Sequence, residues 1–465
     1  MRRRAAALVA IAGAIFARAE LAAAQPASPP DGVAIGEFWF RPRLELRSRG
    51  EYYHHPVAAS EADLAILGSQ PLAATAMDHQ WVVHERARFG LTVERGPLSG
   101  TIVVQDARLA GFPSPASTDR SGGAATTSFH AAFVEWRTPD THPSFLRIGR
   151  QEIALGEGRL VGISDWELVP RSLDAARGHW TLRQFDLGAF AALLTPPGSL
   201  PPQYGEQAAS AGAGSGGTGT QLYALAGAVH VDPLLHGEVL GLARVVRYPV
   251  PGSLTPSDTI VVDARLFGDQ SGLTYAAEFA YELGRVAIFG GNRDLAAWGA
   301  TAHIDWQTTW PLRPKWSLAG SYATGDDGQL SGTVRRFDPI LPDARAGLGQ
   351  MGLYAWSNIV DGAATVTSSP SDDVSVAIGY RYIRLADPKG PWFTASLAPV
   401  GQNIANEASF LGHELDASVS YAPLEGLGLR AGYGAFVTGA GARAILSGGP
   451  RLLSAAFLQV SLAAP

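Results

Sequence analysis

The sequence predicts an all-β protein, a single transmembrane antiparallel β-barrel of about 18 strands with long extracellular loops and short periplasmic turns. Two observations support this fold class. Runs of about ten residues with alternating polar and apolar side chains recur along the chain, and each ends at Gly, Pro, Asp or Ser. No apolar stretch of roughly eighteen residues follows residue 24, which argues against a helical membrane protein.

The N-terminus has the organisation of a secretory signal peptide, which we predict at residues 1–24. Three arginines precede an apolar stretch at residues 5–17 that is too short to span a bilayer comfortably. Small residues at 22–24 provide a cleavage site, and an uncleaved anchor is the alternative. Residues 25–37 are then expected to form a periplasmic N-terminal segment, and residues 38–465 the outer-membrane barrel channel.

The alternating runs, taken in chain order, define the individual strands. We predict strands at residues 38–48, 80–93, 99–108, 128–137, 144–150, 173–183, 185–194, 220–229, 236–247, 259–267, 272–283, 295–307, 316–324, 349–360, 373–385, 411–421, 427–438 and 451–462. Long and short connections alternate between them, as expected if both termini lie in the periplasm. The Gly/Ser/Ala-rich residues 208–220 fall in a long connection, although an interdomain linker is the alternative.

The first strand shows why the faces of these strands differ. In FRPRLELRSR, Arg43, Glu45 and Arg47 share one face, and Leu44 and Leu46 share the other. An arginine that faces lipid at mid-bilayer costs roughly 2–4 kcal/mol. The charged face is therefore predicted to line an aqueous interior, and the leucines to contact hydrocarbon.

Other strands repeat this pattern of charged and apolar faces. Arg86 and Arg88 alternate with Ala87 and Phe89 in the same way. Further charges predicted on interior faces include Arg147, Arg177, Asp263 and Arg265. Such mixed charges have two interpretations: they contact a charged substrate, or they pair with each other and rigidify the wall.

The composition excludes several classes of function. The 465 residues include no cysteine, which rules out disulfides and thiolate metal sites. The net charge of −6 argues against nucleic-acid binding. An outer-membrane hydrolase would need a nucleophile beside a histidine at the rim, and the histidines show no such spacing. No enzyme activity, cofactor or metal is therefore expected.

Several segments resemble the alginate export family, whose members are outer-membrane porins. The most specific is LRIGRQEIALGEGRL at residues 146–160, followed by RSLDAAR at 171–177. The remaining similar segments follow in order as QDAR at 105–108, YATGDD at 322–327, FDPI at 337–340, YIRLAD at 382–387 and GHELD at 412–416.

The resemblance implies a monomeric channel of the Gram-negative outer membrane that passes an anionic, uronate-type polysaccharide through a positively charged constriction. The implied partners are this polysaccharide, outer-membrane lipid and periplasmic secretion proteins. The substrate-binding residues it suggests are Arg43, Arg47, Arg86, Arg88, Arg147, Arg150, Arg159, Arg171 and Arg177, with Glu152 and Asp174 as acidic partners expected to hold the arginines. The strand pattern adds Glu45, Asp263 and Arg265 to the predicted substrate-binding residues.

Passage is expected to be passive and electrostatically selective, because guanidinium groups bind carboxylates in a planar fork and concentrate anions in a narrow pore. The alternative is an anion-selective porin for the uptake of small organic or sugar acids. Among the outside loops, we expect residues 151–172 to fold into the pore.

Overall fold

The structure of the protein is a computed structural model. It describes residues 32–56, 79–111, 124–139, 144–182, 184–194, 220–232, 234–246, 257–288, 291–327, 332–345 and 347–464. The predicted signal peptide at residues 1–24 and nearly all of the Gly/Ser/Ala-rich stretch lie outside the described residues.

The regular secondary structure of the described residues is almost entirely β-strand. A short strand, β1 (Val33–Ile35), pairs with the beginning of the first barrel strand, and a hairpin of β17 (Trp392–Phe393) and β18 (Pro399–Gly401) lies in one connection. The described residues contain one short helix, α1 (Ala440–Ile445), and no helix long and apolar enough to cross a bilayer. The barrel strands are β2 (Phe38–His54), β3 (His79–Arg95), β4 (Leu98–Ala110), β5 (Ala124–Arg137), β6 (Phe145–Gln151), β7 (Leu173–Leu182), β8 (Phe185–Leu193), β9 (Thr220–Asp232), β10 (Leu235–Val246), β11 (Ser257–Gln270), β12 (Leu273–Ile288), β13 (Gly291–Gln307), β14 (Lys315–Ala323), β15 (Ile359–Ser368), β16 (Val374–Leu385), β19 (Phe410–Leu424), β20 (Leu427–Thr438) and β21 (Leu452–Ala464).

These strands form a closed antiparallel barrel of 18 strands, which confirms the predicted fold class. Each strand pairs with its neighbour along the chain, and β2 also pairs with β21, with Leu44 opposite Ala464 and His54 opposite Ser454. Closure leaves no unpaired sheet edge, which a bilayer would not tolerate because lipid offers no hydrogen-bond partner.

One predicted strand, at residues 349–360, is wrong. The actual strand β15 begins at Ile359, and residues predicted to form a turn at 361–372 lie largely within it. The residues before β15 are buried in succession from Leu353 to Ile359, without the alternation of a strand. Gly352 and Asn358 have positive φ angles of 62° and 50°, which are incompatible with a strand.

The outward face of the barrel is apolar, as predicted. Leu44, Leu46, Phe89 and Leu415 are all exposed on it. Most exposed tryptophans lie at or near strand ends, including Trp306, Trp310 and Trp316 around one short turn. This is the distribution expected of side chains at a membrane–water interface.

The inward face is partly apolar, which the sequence interpretation did not anticipate. Two connections fold into the barrel: the first inner loop, residues 152–172, and the second inner loop, residues 324–358 where described. Their side chains, including Val161, Leu341 and Trp356, pack in one buried cluster with Leu242 and Val261 of the barrel wall. Burial of this apolar surface holds both loops inside the barrel.

Candidate functional site

The first inner loop crosses the barrel interior, as we expected for residues 151–172. It leaves β6 at Glu152, whose carboxylate lies 2.7 Å from His130 of β5. It then reaches the opposite wall, where Glu157 lies 3.6 Å from Arg265 and 3.7 Å from His303. The loop returns to β2 and β3 at residues 165–167.

An arginine cluster on β2 and β3 binds the returning loop. This arginine wall consists of Arg47, Arg49, Arg86 and Arg88, all of which are buried. Arg47 donates to the carbonyl oxygens of Asp165 (2.5 Å) and Glu167 (2.7 Å), and Arg49 donates to that of Trp166 at 2.7 Å. Hydrogen bonds from charged donors are roughly twice as strong as neutral ones, so these bonds fix the loop against the wall.

Carboxylates also pair with this wall. Glu45 accepts hydrogen bonds from both Arg86 and Arg88. Glu51 accepts one from Arg49 at 2.6 Å. The strand register places these groups together, because Glu45 lies opposite Arg88 and Arg47 opposite Arg86.

Trp166 is flanked by guanidinium groups. The central carbon atoms of Arg49 and Arg345 each lie 4.0 Å from the centre of its rings. Such cation–π contacts orient the tip of the first inner loop and connect it to the second inner loop.

The two inner loops are joined by a dense set of hydrogen bonds. The amide of Gly162 donates to Leu341 at 2.8 Å, and the amide of Leu341 donates to Leu160 at 2.9 Å. Arg171 donates to the carbonyl oxygens of Gly162 and Leu341. A Cβ atom at Gly162 would lie 2.7 Å from that of Asp343, so only glycine permits this close approach.

The opposite side of the barrel is rich in carboxyl groups instead. Its carboxylate wall consists of Glu238, Asp263, Glu278 and Glu282 on β10–β12, all buried. Arg265 lies between them at 3.2 Å from Glu238. Arg159 of the first inner loop lies 4.0 Å from Glu278.

Carboxylates bind the second inner loop through its amide groups. Glu282 accepts a hydrogen bond from the amide of Asp338 at 2.8 Å. On β19, Glu414 accepts one from the amide of Met351 at 3.1 Å. These acceptors hold part of the second inner loop, and Arg381 of β16 also donates to its Gly347 carbonyl oxygen at 2.6 Å. The tip of the first inner loop is held by guanidinium donors.

Three of the predicted arginines do not contact the inner loops through their guanidinium groups. Arg43, Arg147 and Arg177 lie on the inward face, nearer the short-turn end of their strands. Arg43 is exposed, and Arg147 and Arg177 are partly exposed. Arg147 pairs with Glu135 at 2.5 Å and lies opposite Arg177 in the register. Within the described part of the chain, Arg43 and Arg177 form no ion pair.

Two other predicted site residues face away from the interior. Arg150 and Asp174 lie 3.3 Å apart on the outward face, since Arg150 shares the parity of the exposed Leu146 and Ile148. Our assignment of this pair to the interior is therefore wrong. Successive side chains on a strand point to opposite faces, so Arg150 cannot share the inward face of its strand with Arg147.

Glu152 bonds a histidine rather than an arginine. His130 contacts Glu152 with one ring nitrogen, and Ser172 lies 3.3 Å from the other. Burial alone would raise the pKa of Glu152, but the His130 hydrogen bond and the charges of Arg88 and Arg86 hold that pKa below its usual value. Ser172 and His130 are both buried, so this chain of bonds braces the two ends of the first inner loop.

The sequence interpretation missed several residues of the site. Arg49 and Glu51 continue the alternation of β2, so their parity was an available signal. Trp166 and Arg345 lie in loops, where no periodicity marks their direction. Their contact depends on two segments far apart in the chain, which only the folded barrel brings together.

Comparison with known proteins agrees with this architecture. A family model described as alginate export matches residues 62–194 and 254–447. No curated protein matches the chain. Solved structures that resemble it include the outer membrane protein OpdK from Pseudomonas aeruginosa (12% identity, TM-score 0.56, covering 91% of this chain and 98% of that one) and Acinetobacter baumannii OccAB1 (10% identity, TM-score 0.57, covering 91% and 96%). OpdK solved with vanillate is also similar (11% identity, TM-score 0.54, covering 91% and 98%).

Proposed function

The chain belongs to the alginate export family and is a channel of the Gram-negative outer membrane, and on that premise we propose that it passes an anionic, uronate-type polysaccharide or its oligomers by passive diffusion. The observation that carries this proposal is the concentration of guanidinium groups on the inward faces of β2, β3, β6 and β7. Guanidinium groups match the geometry of uronate carboxylates.

The predicted arginines divide into two groups in this proposal. Arg47, Arg86, Arg88, Arg159, Arg171 and Arg265 are buried among contacts that hold the inner loops in this structure. Arg43, Arg147 and Arg177 are more exposed, so they attract the anion first. A row of cations in a narrow passage raises the local concentration of anions.

Ion selectivity in planar bilayers tests the proposal. Replacing Arg43, Arg147 and Arg177 together by glutamine should reduce the permeability ratio of anions to cations, because three interior charges are removed. Arg150→Gln is the matched control, since it removes one arginine from the outward face. Unchanged reversal potentials in the triple variant would contradict the proposed role of these arginines.

A second candidate is uptake of small organic or sugar acids. It is favoured by the similarity to OpdK, a protein solved with the small acid vanillate, and by the two inner loops that fill part of the interior. Liposome flux separates the candidates. Passage of uronate oligomers supports the polysaccharide channel, whereas passage of monomeric uronate alone supports the small-acid porin.

A further inference from the structure

The side chain of Asp165 occupies an unusual position at the tip of the first inner loop. Its carboxylate lies 2.9 Å from Arg86, 3.6 Å from Arg47 and 3.9 Å from Arg88. The carboxylate side chain is 52% exposed, whereas the side chain of Arg86 is only 2% exposed. A carboxylate from the interior can reach these arginines most directly at the place that Asp165 occupies.

The loop tip is held largely without this carboxylate. Arg47 and Arg49 bind the backbone carbonyl oxygens of Asp165, Trp166 and Glu167. Arg345 packs on the Trp166 ring at 4.0 Å. Movement of the Asp165 side chain alone would therefore leave the main anchors of the loop in place.

The charges of the cluster favour an anion at this position. The carboxylates near the four guanidinium groups of the arginine wall are those of Glu45, Glu51 and Glu152. Without the Asp165 carboxylate, four cations would face three anions. Buried guanidinium groups in excess bind an available carboxylate strongly, because leaving them unpaired is costly.

We propose that Arg47, Arg86 and Arg88 form a binding site for one carboxylate group of the transported anion, and that Asp165 occupies it as an intramolecular competitor. The inference rests on the proposed function and specifies where a uronate carboxylate binds. A competitor attached to the loop is always present at high effective concentration. It weakens the hold on each passing carboxylate, which lets the polymer move on instead of blocking the channel.

Block of the channel by uronate tests this proposal. Single-channel current is recorded in planar bilayers while oligouronate, and separately monomeric glucuronate, is titrated. In Asp165→Asn the competitor loses its charge, but the backbone carbonyl that binds Arg47 remains. The half-blocking concentration should fall on the order of tenfold, with longer blocked intervals.

Asp174→Asn is the matched control, because it removes the same charge from the outward face. Heat-modifiable electrophoretic mobility verifies that each variant forms a folded barrel. The control should retain the half-blocking concentration of the unmodified protein.

The outcomes separate this inference from the proposed function. Tighter block of Asp165→Asn alone supports the competitor, whichever uronate produces it. If oligouronate blocks all three proteins equally, the competitor is refuted while the polysaccharide channel stands. If only glucuronate blocks, and more strongly in Asp165→Asn, the site is supported and the polymer substrate is refuted. If neither uronate blocks any variant, the carboxylate site is refuted.

Discussion

The arginine wall and the carboxylate wall hold the same kind of loop in opposite ways. The arginine wall on β2 and β3 binds carbonyl oxygens at the tip of the first inner loop. Glu282 of the carboxylate wall binds an amide group of the second inner loop, and Glu414 of β19 does the same. Every peptide group has both a donor and an acceptor, so the charge of the wall selects which of them faces it.

This difference shows how a charged wall can bind a loop without losing the charge that would attract a substrate. A wall rich in donors is satisfied by carbonyl oxygens without cancelling its positive charge, because carbonyl groups carry no net charge. The arginine wall therefore fixes the tip of the first inner loop with guanidinium groups that remain cationic. The carboxylate wall instead binds the second inner loop through an amide donor, so the two sides of the barrel interior differ chemically.

The largest effect is expected from removing a loop anchor in the arginine wall. Arg47→Met removes three hydrogen bonds from a charged donor to the loop tip, of which the two short ones each contribute roughly 1.5–3 kcal/mol. The first inner loop should loosen, and single-channel conductance and its fluctuations should increase. Arg150→Met is the control on the outward face. Conductance that matches the control would mean that Arg47 does not anchor the loop.

A smaller effect is expected in the carboxylate wall, where two substitutions of Glu282 test its hydrogen bond to the second inner loop. Glu282→Gln keeps an acceptor for the Asp338 amide and should leave conductance fluctuations unchanged. Glu282→Leu leaves that amide without its acceptor, at a cost of about 1–3 kcal/mol. Conductance fluctuations should increase in the leucine variant alone, and equal fluctuations in both variants would contradict this assignment.

The smallest effect concerns the brace between Glu152 and His130. Since the pKa of Glu152 is lowered in the folded protein, its contribution to stability is present above the ordinary pKa and is lost as the pH falls through the lowered value. Channel fluctuations should therefore increase below about pH 4. Glu152→Gln should lose part of this acid response, whereas Glu85→Gln, on the outward face, should retain it. Identical pH profiles would contradict the brace.

The alternation of polar and apolar residues predicted most of the barrel, because each strand has one face toward lipid and one toward the interior. Lipid contacts one face of every strand, so Leu44 and Phe89 had to alternate with charged side chains. The same argument could have placed Arg150 outward, since it shares the parity of Ile148. Its assignment to the interior followed a similarity of motif instead of the strand parity.

The inner loops were harder to predict. Residues 349–358 are apolar enough to resemble a strand, but their burial comes from packing inside the barrel. The contact between Val161 and Leu341 joins segments that are distant in the chain. A loop buried inside a protein has no period, because its surroundings differ at each residue.

The sequence by itself determined that the chain forms a barrel and which side chains of its strands face lipid, since a side chain in hydrocarbon must be apolar wherever its strand lies. Only the tertiary structure decided which arginines hold loops and which remain partly exposed to the interior. That distinction depends on which carbonyl oxygens and carboxylates the closed barrel brings within hydrogen-bonding distance, and those partners come from both inner loops and opposite walls.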